Sequence, residues 1–318
     1  MPDIEPLDIG RLKASVVKEL ERRRFAKGPG CYADTRGGKE TLYGLTGAAN
    51  IYAALGLPFG SRSARHQWAQ RILVHRKEDG SFDGGHGPGH ALHMVLAALH
   101  ILGEPIPEDL GPLAPTDPAA LPGWLDRHDW TSTHKEFCGQ TIPLLASGRV
   151  TQKWRNVLAK EVGGRLNPDR PLETWCRPNE KPWRVISCAY HVLSAFDAGR
   201  MPYPHPKVLL RRLLGLRWEA AADDVRRTVC TDGDWALMLL HLRNQLAGES
   251  ERIMKAIRKV SARRVRDWSK NRESVLSDTT HNIYCYLWVT AVFQSYVRDQ
   301  YTGMPIKDTL NAPELFRL

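Results

Sequence analysis

Two aspartates stand two positions apart in Cys230-Thr-Asp-Gly-Asp-Trp-Ala-Leu-Met-Leu-Leu-His241, at the mouth of an apolar run that reads as a buried helix. Carboxylates are favoured there by the unsatisfied N–H groups and by the helix macrodipole. Asp232 also reads as a plain N-cap, whereas Asp234 lies past the capping position and is the stronger candidate for acid–base work. Other helix openings carry bases and hydrogen-bond donors. They offer His86, His90 and His93, then His134 and Glu136, then Arg184, Tyr190 and His191, and finally Asp278, His281 and Tyr284. Acids, bases and donors together suit a hydroxyl-rich substrate.

Two reactions fit this set. In β-elimination on a uronate, Arg184 or a histidine neutralises the carboxylate, and Tyr190, His134 or His191 removes the acidified C–H proton. In glycoside hydrolysis, Asp234 is the general acid, and Asp278, Asp83 or Glu136 activates water. His90, Trp235, Asp232, His281 and Tyr284 join Arg184 as candidate substrate-binding groups, and Trp175, Trp183 and Trp235 could stack on sugar rings or simply pack. His90 and His93 share a helix face, but no third ligand is placed beside them, so hydrogen bonding is expected rather than a metal. No cofactor is expected.

These residues need helices to hold them. Residues 8–25 have an apolar stripe of Leu12, Val16, Val17 and Leu20. Residues 44–56 are small and apolar almost all round, and residues 61–76 are amphipathic. The alternation continues, with inner-helix openings near residues 44, 87, 134, 182, 232 and 278. That spacing of about 43–50 residues lies in the range of helical repeats. Strand signals are few. We expect an all-α fold in one domain, an (α/α)6 toroid of about six inner and outer helix pairs. Residues 1–40 supply an N-terminal helix and linker, and residues 41–318 the repeats. Closure is favoured over an open solenoid because the last helix is too apolar to be a cap.

The stretch Asp79-Gly-Ser-Phe-Asp, continuing through His90-Ala-Leu-His to Gly103, resembles the repeat of the terpenoid cyclase and protein prenyltransferase toroid superfamily. Asp232-Gly-Asp-Trp-Ala is similar to the Asp-x-Asp-Asp-Thr-Ala acid motif of type II terpene cyclases, with Trp235 in place of the third aspartate. The resemblance implies a toroid, and an alternative activity in which Asp234 protonates an alkene. Two departures matter: those cyclases use two toroids where this chain has room for one, and the prenyltransferase zinc set, an Asp-x-Cys pair with a distant His, has no clean match. A terpene cavity should also be an aromatic and aliphatic cage, and the residues above are too polar for that. Similar toroids serve polysaccharide lyases and glycosidases, so the fold alone does not choose. A non-catalytic toroid that binds glycan or protein is the third reading.

Composition narrows the classes. With 318 residues, 42% of them hydrophobic, the chain can bury a large core, and a mean hydropathy of −0.40 with no apolar run near roughly 18 residues argues against a membrane span. The acidic, proline-broken start is not that of a signal peptide, so a cytoplasmic location is expected. Six cysteines without CxxC pairs suggest neither a disulfide framework nor a zinc spacing. The net charge of +10 gathers in residues 252–272, which form either a solvated outer helix or a field for an anionic partner. No nucleic-acid-binding signature accompanies it, which places an anionic oligosaccharide or small molecule ahead of nucleic acid. The sequence leaves the oligomeric state open.

Overall fold

The computed structural model describes residues 5–309, except 86, 108–110, 112, 132–133, 147 and 217–228. The expectation of an all-α chain holds. Helix α1 (Ile9–Glu21) starts at Asp8, whose carboxylate accepts from the Arg11 N–H at 3.1 Å, and it buries Ile9, Leu12, Val16 and Leu20. There follow α2 (Leu42–Leu55), α3 (Arg62–Leu73), α4 (Pro88–Leu102), α5 (Leu121–Asp126), α6 (His134–Ala146) and α7 (Gln152–Arg165). The second half holds α8 (Pro182–Gly199), α9 (Pro206–Gly215), α10 (Val229–Gln245), α11 (Ser250–Ser277) and α12 (Thr280–Tyr296). The two short strands β1 (Leu7–Asp8) and β2 (Tyr301–Thr302) pair in parallel and bring the two ends of the described chain together.

Burial divides the helices into two kinds. Helices α2, α4 and α12 are buried almost all round, while α3, α7 and α11 bury one face. Local signals fix their ends: Thr41, Ser61, Thr151 and Thr279 each accept a backbone N–H as N-caps, and Gly56 and Gly103 close α2 and α4 with left-handed backbone. The expected openings near 44, 87, 134, 182, 232 and 278 match α2, α4, α6, α8, α10 and α12. One expectation changes in detail. Helix α10 already begins at Val229, so Asp232 lies in its first turn and is not its N-cap.

The six alternate helices pack in sequence. Helix α2 lies against α4, α4 against α6, α6 against α8, α8 against α10, α10 against α12, and α12 against α2, so the series returns to its start. Helix α3 covers α2 and α4; α9 covers α10; α11 covers α10 and α12. Two glycine positions permit the closest approaches. A Cβ on Gly139 of α6 would lie 2.1 Å from the Gly89 carbonyl oxygen of α4, and one on Gly233 of α10 would lie 2.7 Å from Val289 of α12. Arg23 joins the two ends of the series. Its buried guanidinium pairs with Glu19 at 3.2 Å and donates to the carbonyls of Asp34, Leu276 and Asp278. Among the described residues, no helix is long and apolar enough to cross a membrane.

Candidate active site

The early turns of α2, α4, α6, α10 and α12 and the middle of α8 bring polar residues to one region. From α2, the Tyr43 hydroxyl meets Nδ1 of His90 on α4 at 2.7 Å. The His90 ring lies 5.0 Å from that of His281 on α12 and 6.4 Å from that of His191 on α8, and Tyr43 sits edge-on to His281 at 5.1 Å. Helix α6 adds Lys135, whose charge is felt by Cys230 and Asp234 of α10. Helix N-termini gathered in this way make the region favourable to anions.

Asp234 is buried, and its carboxyl is pushed well above the usual carboxylate range. Burial is the main cause, the sulfur of Cys230 adds to it, and Lys135 and a hydrogen bond from the Ser187 hydroxyl oppose it. Its Oδ2 finds no partner among the described residues. A carboxyl raised in this way holds its proton to higher pH than an ordinary one, which suits it to act as an acid.

Ser187 also determines the state of His191. The imidazole Nδ1–H donates to the Ser187 carbonyl at 2.7 Å, which leaves Nε2 as the basic nitrogen. One residue therefore orients a base through its carbonyl and holds an acid through its hydroxyl.

Burial pushes the Tyr190 phenol well above its ordinary range, and nearby Asp197 adds to the effect. The phenol therefore holds its proton more firmly than an ordinary tyrosine. Lys135 is held below its usual range, first by burial, while Cys230 and Asp234 act in the opposite direction. Burial takes His93, one helical turn beyond His90, down to about 4.

Several expected site residues are placed elsewhere. Asp232 turns outward to α11, where Arg263 holds it at 2.7 Å and Arg264 at 3.0 Å. Arg264 is itself buried over the Tyr286 ring. Asp232 therefore leaves the list of substrate-binding groups, because its charge is already matched. Trp235 is buried and donates from Nε1 to the Leu213 carbonyl at 3.1 Å, so it packs toward α9. Tyr284 is fully buried with its hydroxyl against Thr309 at 2.9 Å. Trp175 is likewise buried, against Trp130. Arg184 is half exposed and pairs with Glu180 at 3.3 Å. Asp83 is exposed beside Lys77, and the Asp278 carboxylate accepts from the Thr279 N–H. The side chain of His134 and all of His86 lie outside the described residues.

Tyr43, Lys135, Ser187, Cys230 and Cys285 are the members of this region that sequence reasoning missed. Cys285 lies one helical turn after His281, with its Sγ 3.5 Å from Nε2 of that residue, and Cys230 is hydrogen-bonded to Cys285. The His281-x-x-x-Cys285 spacing was the available signal, and its third member lies on a different helix. At the far ends of α8 and α10, Asp197 pairs with His241 at 2.5 Å and accepts from Tyr203. That trio ties the helices together away from the site.

No family model, curated protein or solved structure matches this chain.

Proposed function

We propose that the six alternate helices form the inner wall of an (α/α)6 toroid, and that its interior performs β-elimination on a uronate-containing oligosaccharide. The observation that carries the reading is the double use of Ser187, whose carbonyl orients His191 and whose hydroxyl holds Asp234. Base and acid are thereby fixed relative to each other.

In the reaction, the Lys135 ammonium and the helix N-termini face the substrate carboxylate, lowering the pKa of the adjacent C–H. His191 Nε2 takes that proton. The electron pair forms the new carbon–carbon double bond as the glycosidic C–O bond on the neighbouring carbon breaks, and Asp234 gives its proton to the departing oxygen. The substrate retains its carboxylate, now conjugated with the alkene. Lys135 takes the role expected of Arg184, which is engaged by Glu180.

Hydrolysis is the second reading. It requires a second, ionised carboxylate near the acid. Asp83 is paired with Lys77 and Asp278 accepts a backbone N–H, which leaves Glu136 of α6, whose Oε2 is buried without a partner among the described residues, as the carboxylate that would activate water. The test is to incubate the protein with a panel of uronate oligosaccharides while following ultraviolet absorbance and reducing ends. Both should rise together, and neither should rise with His191→Ala. Reducing ends without absorbance would replace elimination by hydrolysis. Silence in both would sink the carbohydrate reading, and a prenyl diphosphate panel would then test a cyclase with Asp234 as its acid.

A further inference from the structure

We propose that Cys230, His281 and Cys285 bind one zinc ion, with a fourth coordination position open toward the interior. The three ligand atoms lie within 4.8 Å of one another. For tetrahedral zinc with Zn–S near 2.3 Å and Zn–N near 2.05 Å, neighbouring sulfur and nitrogen should stand about 3.6 Å apart. The distance between Cys285 Sγ and His281 Nε2 is 3.5 Å. Two of the ligands share one face of α12 through their i, i+4 spacing, and the third comes from α10, where the Gly233 contact with Trp288 and Val289 sets the approach of the two helices.

The donor set selects the metal. Two thiolates and an imidazole suit zinc, whereas magnesium and calcium prefer oxygen ligands. Two thiolates also neutralise a divalent ion, so the centre carries no net charge into a buried site. Three protein ligands with one position left for water or a substrate oxygen is the pattern of a catalytic zinc. The edge contacts of the His281 ring with Tyr43 and His90 hold its orientation. This inference does not depend on the elimination reading, and its test needs no substrate.

The experiment is a titration of the reduced, metal-stripped full chain with Co2+, followed by displacement with Zn2+. One Co2+ per chain is expected, with a sulfur-to-cobalt charge-transfer band of two-thiolate intensity and the visible bands of a tetrahedral ion. Cys230→Ser and Cys285→Ser should each lose about half of the charge-transfer intensity or all binding. Alkylation of the unmodified chain gives a second readout that does not depend on whether the variants fold: Zn2+ should protect Cys230 and Cys285 while leaving Cys31 and Cys176 unchanged. Absence of a tetrahedral spectrum, unprotected Cys230 and Cys285, or a Cys230–Cys285 disulfide in place of metal in the protein isolated from cells would each overturn the proposal.

Discussion

Asp232 and Asp234 are the same residue type, two positions apart on α10, and both are buried. Burial raises both carboxyls, yet their surroundings differ. The guanidiniums of Arg263 and Arg264 pull Asp232 back toward its ionised form, whereas for Asp234 the opposing groups are the Lys135 charge and the Ser187 hydroxyl. Two residues along a helix amount to a turn of about 200°, so one aspartate faces the outer layer and the other the interior. Asp232 stabilises the contact between α10 and α11. Asp234 holds its proton to higher pH than an ordinary carboxyl. Sequence separation says little about role here, and the side of the helix decides it.

The sharpest way to break this comparison is Asp234→Asn. Loss of the acid should lower elimination by about 10²–10⁴-fold. Stability should move the other way at neutral pH. A carboxyl raised in the folded chain contributes its full stability below the ordinary carboxylate range, and that stability is lost as pH rises toward the native value. Asparagine has no proton to lose, so the variant should melt at the same or a higher temperature at pH 7, with its relative gain shrinking near pH 4. A variant that melts several degrees lower at pH 7 would show Asp234 to be structural.

Asp232→Asn should do the reverse. It leaves two guanidiniums with their matching charge removed, one of them buried, and breaking such a pair destabilises by about 3–5 kcal/mol. Urea unfolding should register that loss, while activity per folded molecule stays at the level of the unmodified chain. A large fall in turnover at unchanged stability would restore Asp232 to the site.

These two residues also show how far the sequence could be read. The spacing of the helix openings follows from apolar content and capping residues, which are local properties, and so the six alternate helices were visible. His191 lies midway along α8, whereas His90, His281 and Asp234 were legible because they stand near those openings. Pairing across repeats was not. Nothing local says that Cys230 meets Cys285, or that Ser187 links His191 to Asp234. The basic run of residues 252–272 showed the same limit: periodicity suggested a solvated or anion-seeking face, whereas Arg263 and Arg264 turn inward to Asp232. The tryptophans misled because a large ring near a helix start suits stacking and packing equally, and only burial separates the two.

His93 provides a third case on α4, a half-buried titratable group that is assigned no chemical step. Burial takes its pKa down to about 4 in the folded chain, against about 6.5 when unfolded. Its contribution to stability is therefore complete above pH 6.5 and is lost as pH falls from there to about 4. The loss should be on the order of 3 kcal/mol. His93→Gln should flatten this limb of the stability curve between pH 4 and 6.5 and leave the elimination rate at pH 7 close to that of the unmodified chain. An unchanged acid limb would mean that other groups set it.

The smallest effect is expected at Trp235, the residue next to Asp234. The indole is buried and donates to the Leu213 carbonyl on α9, so it belongs with Asp232 on the structural side of the comparison. Trp235→Phe removes the donor while keeping an aromatic ring, which should lower stability by about 1 kcal/mol. The KM for uronate oligosaccharides should not change, because a ring turned toward α9 has no sugar to stack on. Equilibrium unfolding and a saturation curve on the same preparation separate the two effects. A rise in KM with unchanged stability would place the indole at the substrate, and α10 would then present two consecutive residues, Asp234 and Trp235, to the interior. On a helix such neighbours point about 100° apart, so that outcome would require a cavity wide enough to reach around α10 toward α9.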